Sequence, residues 1–306
     1  MMKYVFIFLI IFVTLNFAQY ERPGSTDAQF LKIDVSPRSA GMGSAFISVS
    51  NGAEATYYNP AALARVKNLD FVFTHTEWFA GIKHEFAAGV KNFGAFGTFG
   101  FSAIALYTDE MKVRTPLQPD GTGETFYAGN YKFGISYGRL LTDHVSLGGT
   151  FNFVHLSLYQ DFKANGIGGD IAVLYVTNFR RFRFGMKIAN FGSEIKFVNE
   201  SYPLPTNFQF GLSMNAIQSE QQHFLVSFSA IKPNDGQPLG QVGGEWNWRE
   251  IIFLRAGYRF NHGVAKYSFG GGLYWNISST RLRFDYSYSD FSLLGSAHRF
   301  GIGFSL

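Results

Sequence analysis

After residue 67 the chain breaks into short segments in which apolar side chains alternate with polar or small ones. In Leu282, Phe284, Tyr286 and Tyr288 one set is wholly apolar or aromatic, whereas Arg281, Arg283, Asp285, Ser287 and Ser289 between them are polar. Phe208, Phe210, Leu212 and Met214 against Gln209, Gly211, Ser213 and Asn215 repeat the reading, as do Leu254, Ala256, Tyr258 and Phe260 against Arg255, Gly257, Arg259 and Asn261. Successive side chains of a strand point to opposite faces, so such segments carry lipid on one face and a lumen on the other. One alternating segment says little; many in series predict an all-β fold, a transmembrane antiparallel β-barrel.

Fourteen segments bounded by turn residues read as strands, at 69–78, 82–91, 95–108, 126–139, 144–158, 166–177, 182–191, 205–217, 222–231, 240–248, 251–261, 265–277, 280–290 and 296–306. An even number is what a single-chain bacterial outer-membrane barrel requires. The connections at 109–125, 161–165, 192–203 and 232–239 are longer than those between them, such as Leu141-Thr142-Asp143, and are expected on the outer side. Glycines on the predicted inner face, among them Gly138, Gly211, Gly257, Gly270 and Gly301, leave room for a plug or mark strand bends.

The first residues differ in kind. Lys3 precedes an apolar run from Tyr4 to about Phe17, followed by the small Ala18 and a polar Gln19-Tyr20-Glu21-Arg22. This reads as a secretory signal over 1–18, cut near Ala18; the alternative, a short anchor helix, falls short of the roughly 20 residues that a bilayer demands. The division is then 1–18 signal, 19–66 an N-terminal segment, and 67–306 the barrel. The chain has no cysteine, which excludes a lipid-modified cysteine, a disulfide framework and thiolate metal sites. Without Lys3 the 26 basic side chains become 25 against 22 acidic, a net charge of +3 that gives no reason to expect nucleic acid. Phe 35 and Tyr 16 exceed what a soluble domain uses and suit aromatic girdles at two membrane interfaces.

Between residues 28 and 64 stand Pro37-Arg38-Ser39-Ala40-Gly41-Met42-Gly43 and, further on, Tyr58-Asn59-Pro60-Ala61-Ala62-Leu63. Arg38, Gly41, Met42 and Gly43 followed by Asn59, Pro60 and Ala61 resemble the N-terminal signature of the PorV/PorQ family, itself related to the FadL-type hydrophobe transporters. The resemblance covers essentially the whole mature chain. It implies a fourteen-strand outer-membrane barrel whose N-terminal segment folds inward as a hatch. The residues suit that role: glycines at 41 and 43 let the backbone lie against a wall, Asn59 before Pro60 is held out of the helical region, and Pro60 can open a short helix.

Candidate chemistry is sparse. Gly134-Ile135-Ser136-Tyr137-Gly138 matches the hydrolase elbow pattern, but that elbow requires a strand-to-helix turn and the motif sits inside an alternating strand. His75, Glu77, His84 and Glu85 lie near the first hairpin, yet His84 and Glu85 point opposite ways, so no closed metal shell follows. Arg255, Arg259, Arg281, Arg283 and Arg299 form a candidate basic stripe on the inner wall, serving either an anionic head group or, the favoured reading, ion pairs with the hatch through Asp34 or Glu54. No phosphate loop, dinucleotide fingerprint or zinc spacing occurs. No cofactor and no enzymatic activity are expected.

Two functions follow. The leading expectation, implied by the resemblance, is an adaptor for type IX-like secretion that receives C-terminal signal domains of secreted proteins and passes them to a large translocon barrel. Its partner surface is the external loops, chiefly 109–125, 192–203 and 232–239, of which Asn199, Glu200, Tyr202, Pro203 and Pro205 are the most distinctive because two prolines stiffen a loop at the mouth. The alternative is a FadL-like transporter of fatty acids or other hydrophobic small molecules, with Phe30, Leu31, Ile33, Met42, Phe46 and Tyr58 lining a pocket or packing the hatch. Outer-membrane lipid is a partner in both.

Overall fold

The computed structural model describes residues 22–159, 162–197 and 199–306; the expected signal over 1–18 lies outside them. Fourteen antiparallel strands close into one barrel. In chain order they are β1 Leu69–Glu77, β2 Lys83–Asn92, β3 Thr98–Tyr107, β4 Gly129–Leu140, β5 Val145–Ser157, β6 Lys163–Val176, β7 Arg183–Gly192, β8 Asn207–Gln218, β9 Gln222–Pro233, β10 Leu239–Trp248, β11 Ile252–Phe260, β12 Tyr267–Ile277, β13 Thr280–Asp290 and β14 Ser296–Ser305. Each neighbours the next, and β14 returns to β1 from Asp70↔Ser305 to Glu77↔His298, so no edge is left unpaired. All fourteen strands fall where the alternation places them, and no helix among the described residues is long and apolar enough to cross a membrane.

The alternating set divides as expected. Leu254, Phe284, Tyr286, Tyr288, Phe300 and Ile302 are exposed on the outside, whereas Arg255, Ser287, Ser289 and Arg299 are buried inside. The connections expected as plain outer loops are partly ordered. Met111–Lys112 pairs with Thr125–Phe126. Glu194–Lys196 pairs with Ser201–Pro203, where Ile195 and the adjacent Leu204 find buried positions against Gly166 and Gly168. The end bearing these long connections is the outer one.

Residues 22–66 fill the lumen. Ser36 opens the helix α1, Pro37–Gly41: its Oγ accepts from Arg38 N at 3.1 Å, and Pro37 occupies a first-turn position where no N–H is needed. Gly43 and Ser44 then adopt left-handed φ values of 64°, turning the chain back across the barrel. The helix α2, Ala55–Tyr58, leads to Asn59, which is extended (φ −154°, ψ 93°) ahead of Pro60, and its Oδ1 accepts from Ala61 N at 3.1 Å to cap the 3-10 turn Pro60–Arg65.

Two kinds of wall meet this plug. On the β1–β6 side the inward set includes Val72, Phe86, Val90, Ile104, Val154, Leu156 and Leu174, which bury with Phe46, Met42, Val49 and Leu63 of the plug as one apolar core. Fully burying Phe46 alone contributes about 2 kcal/mol. On the β10–β14 side the inward set is glycine and charge. A Cβ at Gly257 would lie 2.1 Å from Gly43 N, and one at Gly243 would lie 2.2 Å from Met42 O, so these positions are the space that the plug backbone occupies.

Candidate functional site

The plug divides the lumen into two unequal compartments, and charge is handled differently in each. On the inner side, Arg38 of α1 donates through Nε and Nη2 to both oxygens of Glu245 on β10, each at 2.7 Å. Arg255 on β11 stands directly opposite Glu245 in register and donates to the same carboxylate at 2.7 Å, to Asp285 at 2.6 Å, and to the Tyr274 hydroxyl at 3.1 Å. Gly272 makes this possible, since a Cβ there would meet Asp285 Oδ1 at 2.5 Å and the Arg255 guanidinium at 3.1 Å. Arg283 pairs with Asp70 at 2.8 Å, and Asp70 Oδ1 also accepts from Ala53 N of the plug at 2.7 Å. Arg281 sits at the inner rim with Glu250 at 3.2 Å. The remaining space here is a polar pocket of about 320 Å³.

Above the plug lies a chamber of about 770 Å³, open toward the outer mouth. One flank is Lys187 on β7 and Lys132 on β4, with Asp170 of β6 buried behind Lys187. Lys187 Nζ lies 3.3 Å from Asp170 Oδ2 and also donates to Tyr57 O; Lys132 is buried, forms no ion pair among the described residues, and rests over the Tyr57 ring, 5.4 Å from its centre. The opposite flank holds Arg259 and Arg299. Arg259 donates to Ser44 Oγ at 2.7 Å and reaches Asp34 only at 3.7 Å, while Arg299 donates to the Asp34 carbonyl and to Ser289 Oγ. Asp34 itself is engaged by the hydroxyls of Ser39, Ser44 and Tyr58. Arg259 Nε and Arg299 Nη2 are buried with no hydrogen-bond partner among the described residues.

The chamber is therefore a cation-rich space with unmet donors. Leu31, Ile33, Tyr58, Trp78 and Phe291 supply its apolar surface. At the mouth, Asp235 in the β9–β10 connection accepts from Lys32 and Thr26 at 2.6 and 2.5 Å and from Gln29 at 3.0 Å, tying the plug to the rim. Burial by itself raises the Asp235 carboxyl, but the hydrogen bonds from Lys32, Thr26 and Gln29 outweigh it and hold the group down at about 2. His262 in the β11–β12 connection is lowered to about 4, by burial first and then by Arg259, and its Nδ1 accepts from Ala265 N at 3.1 Å.

The residues singled out from the sequence are placed as follows. Arg38 joins the inner ion-pair network; Gly41, Met42 and Gly43 lie against Gly270, Gly243 and Gly257; Asn59, Pro60 and Ala61 form the cap facing Gly138 and Gly148. The basic stripe splits: Arg255, Arg281 and Arg283 belong to the inner network, whereas Arg259 and Arg299 face the chamber. Asp34 is a hatch partner as expected, but Glu54 is not an ion-pair partner: its carboxylate accepts from Ser36 Oγ, and Glu245 and Asp70 of the wall do the pairing. Phe30, Met42 and Phe46 pack the plug, and Leu31, Ile33 and Tyr58 line the chamber. In the rim segment Pro203 O accepts from Asp27 N at 3.0 Å and Tyr202 donates to Glu200 at 2.8 Å; Asn199 is exposed, and Pro205 O accepts from Asn207. Ser136 lies inside β4, bonded to Thr150, with no turn to a helix.

Lys132, Lys187, Asp170, Asp235 and Glu245 did not stand out in the sequence. The four on strands share one signal, a charge at an inward position between small neighbours, as Lys132 stands beside Gly134 and Ser136. Asp235, within Pro-Asn-Asp-Gly, carries only a turn signal.

These observations define a plugged membrane-spanning barrel with a chamber on its outer side, and its fold is that of the FadL-like outer-membrane barrels. It is similar to the Pseudomonas putida toluene transporter TodX (12% identity, 89% of this chain and 98% of that one, TM-score 0.60) and to the Ralstonia pickettii toluene transporter TbuX (15%, 88% and 96%, 0.54). A Pseudomonas aeruginosa FadL homologue is similar as well (10%, 88% and 97%, 0.55). No family model and no curated protein matches the sequence. These similarities are of fold, over nearly the whole length of each chain.

Proposed function

We propose that the protein is an outer-membrane channel that admits small organic molecules through its outer mouth, holds them above the plug, and passes them inward when the plug shifts. The fold shared with toluene transporters supports transport of a partly apolar molecule. The chamber adds its own chemistry: among the described residues, buried Lys132 has no ion pair and Arg259 Nε and Arg299 Nη2 have no acceptor, beside Tyr58, Trp78 and Phe291. That combination carries the reading and fits an amphiphile with an apolar body and a carboxylate head. Buried donors without partners raise the affinity for a ligand that satisfies them and disfavour one that cannot.

The kinship to PorV/PorQ and the type IX adaptor role rest on the Arg38–Gly43 and Asn59–Ala61 resemblance, and nothing in the neighbours adds to that role. The plug packing accounts for those same residues without a protein partner. Transport is tested by reconstituting the purified barrel in liposomes and following uptake of a labelled arylalkanoic acid. Uptake above protein-free liposomes that falls with Lys132→Met supports the reading; uptake equal to protein-free liposomes sinks it.

A further inference from the structure

The chamber above the plug holds more positive charge than one carboxylate ligand can balance. Lys32, Lys132, Lys187, Arg259 and Arg299 line it. Among the described residues three carboxylates answer these five cations: Asp235 pairs with Lys32, Asp170 with Lys187 from behind, and Asp34 stands 3.7 Å from Arg259. Two positive charges are left over, one at Lys132 and one in the corner that Arg259 and Arg299 share. Charge withdrawn from bulk water without a counter-charge is strongly unfavourable, so each excess is a place for an anion.

The two places lie on opposite walls. Lys132 is on β4 and Arg259 on β11, half the circuit of the barrel apart in either direction. Fourteen strands spaced by about 4.8 Å close into a ring more than ~20 Å across, so side chains reaching in from opposite walls leave their heads on the order of 10 Å apart. One carboxylate cannot touch both. The floor between them is aromatic: Lys132 Nζ is 5.4 Å from the centre of the Tyr57 ring, the Tyr57 and Tyr58 rings meet edge to face at 4.9 Å, and the Tyr58 hydroxyl donates to Asp34 beside Arg259. Both heads have donors to spare. Lys132 forms no hydrogen bond among the described residues, and Arg259 commits Nη2 to Ser44 while its Nη1 meets no acceptor among them. Arg299 is wholly buried behind this corner, tied to the Asp34 carbonyl and Ser289, and contributes charge rather than contact.

We infer that the chamber takes a dicarboxylate whose acid groups are joined by an apolar spacer, with one head on Lys132, the other on Arg259, and the spacer across Tyr57 and Tyr58. The inference rests on the transport reading above and narrows it. A monoacid satisfies Lys132 and leaves the arginine corner short of a counter-charge, whereas a two-headed acid neutralises both excesses at once. A site whose buried donors match two heads discriminates against a ligand that brings only one.

The test is calorimetric titration of the solubilised full-length barrel with octanedioic acid, its monomethyl ester and octanoic acid, a comparison that needs no variant. The diacid should bind at least ten-fold more tightly than either of the others. Along the series from hexanedioic to dodecanedioic acid, affinity should pass through a maximum where the spacer matches the gap. Arg259→Gln should collapse the ratio of diacid to octanoic acid affinity, and Lys132→Met should weaken both acids. Heat-modifiable migration checks that each variant is a closed barrel, and the ester comparison on the parent decides the matter if one is not. Equal binding of the diacid and its monomethyl ester, with octanoic acid still bound, would overturn the inference and leave the transport reading standing, as would an affinity that only rises with chain length. Binding of none of the three would overturn both.

Discussion

The two sides of the plug are built from the same residue types but pair their charges at different places. Below it, Arg38, Arg255 and Arg283, which fasten the plug to the wall, are each met by a carboxylate within 2.8 Å, while Arg183 reaches the Val49 carbonyl at 3.4 Å and Arg281 Nε has no acceptor among the described residues. Above it, Lys132 has no ion pair, Arg259 reaches Asp34 only at 3.7 Å, and two guanidinium N–H groups have no acceptor among the described residues. Buried charge that is fully paired and hydrogen-bonded holds structure together, whereas buried charge left short of partners is maintained against an unfavourable free energy. The comparison assigns the inner network to closure and the outer chamber to ligand.

The assignment can be broken most sharply at Glu245. Replacing it by alanine leaves Arg38 and Arg255 buried without their shared carboxylate, a loss of about 3–5 kcal/mol. The plug should detach from β10 and β11, and planar-bilayer recording should show open-channel current that the parent lacks. A comparable closed state in both proteins would remove the inner network from closure. Gly257→Val attacks the same seam sterically: the new side chain meets the Gly43 backbone, which cannot yield as a side-chain tip would, and displacement of the plug by about 3 kcal/mol should appear as faster proteolysis of residues 22–66 while the barrel still migrates as folded.

Lys132→Met should act only above the plug. It should weaken binding of a carboxylate ligand by about ten-fold or more while leaving conductance closed, because the ammonium contributes a charge-assisted contact and no ion pair to the wall. The smallest effect concerns the rim. The Asp235 carboxyl titrates at about 2 in the folded chain and near 3.9 when unfolded, so its contribution is complete above about pH 4 and is lost as pH falls toward 2. Over that window the Lys32–Asp235 tether should loosen, read as a loss of hydrogen-exchange protection, corrected for the intrinsic rate at each pH, confined to residues 26–32. Protection lost on going to alkaline pH instead would contradict the sign.

The barrel was legible because a lipid-facing wall forces a period of two that no loop imitates, and Leu282 to Tyr288 show it without ambiguity. The inward glycines were also legible as space. The chamber was not, and Arg255 and Arg259 show why. Both lie on the inner face of β11, four residues apart, and are alike in sequence. Register separates them, since Arg255 faces Glu245 across the strand pair whereas Arg259 faces Gln241, which cannot neutralise it. Alternation fixes which face a charge is on, while its partner depends on pairing across strands and on a plug distant in sequence.

The most direct measurement is calorimetric titration of the solubilised barrel with an arylalkanoic acid and with its methyl ester. We predict that the acid binds at least ten-fold more tightly and that Lys132→Met removes most of the difference. Equal affinities for acid and ester, or no binding of either, would contradict the claim that the chamber above the plug is a site for an anionic head group.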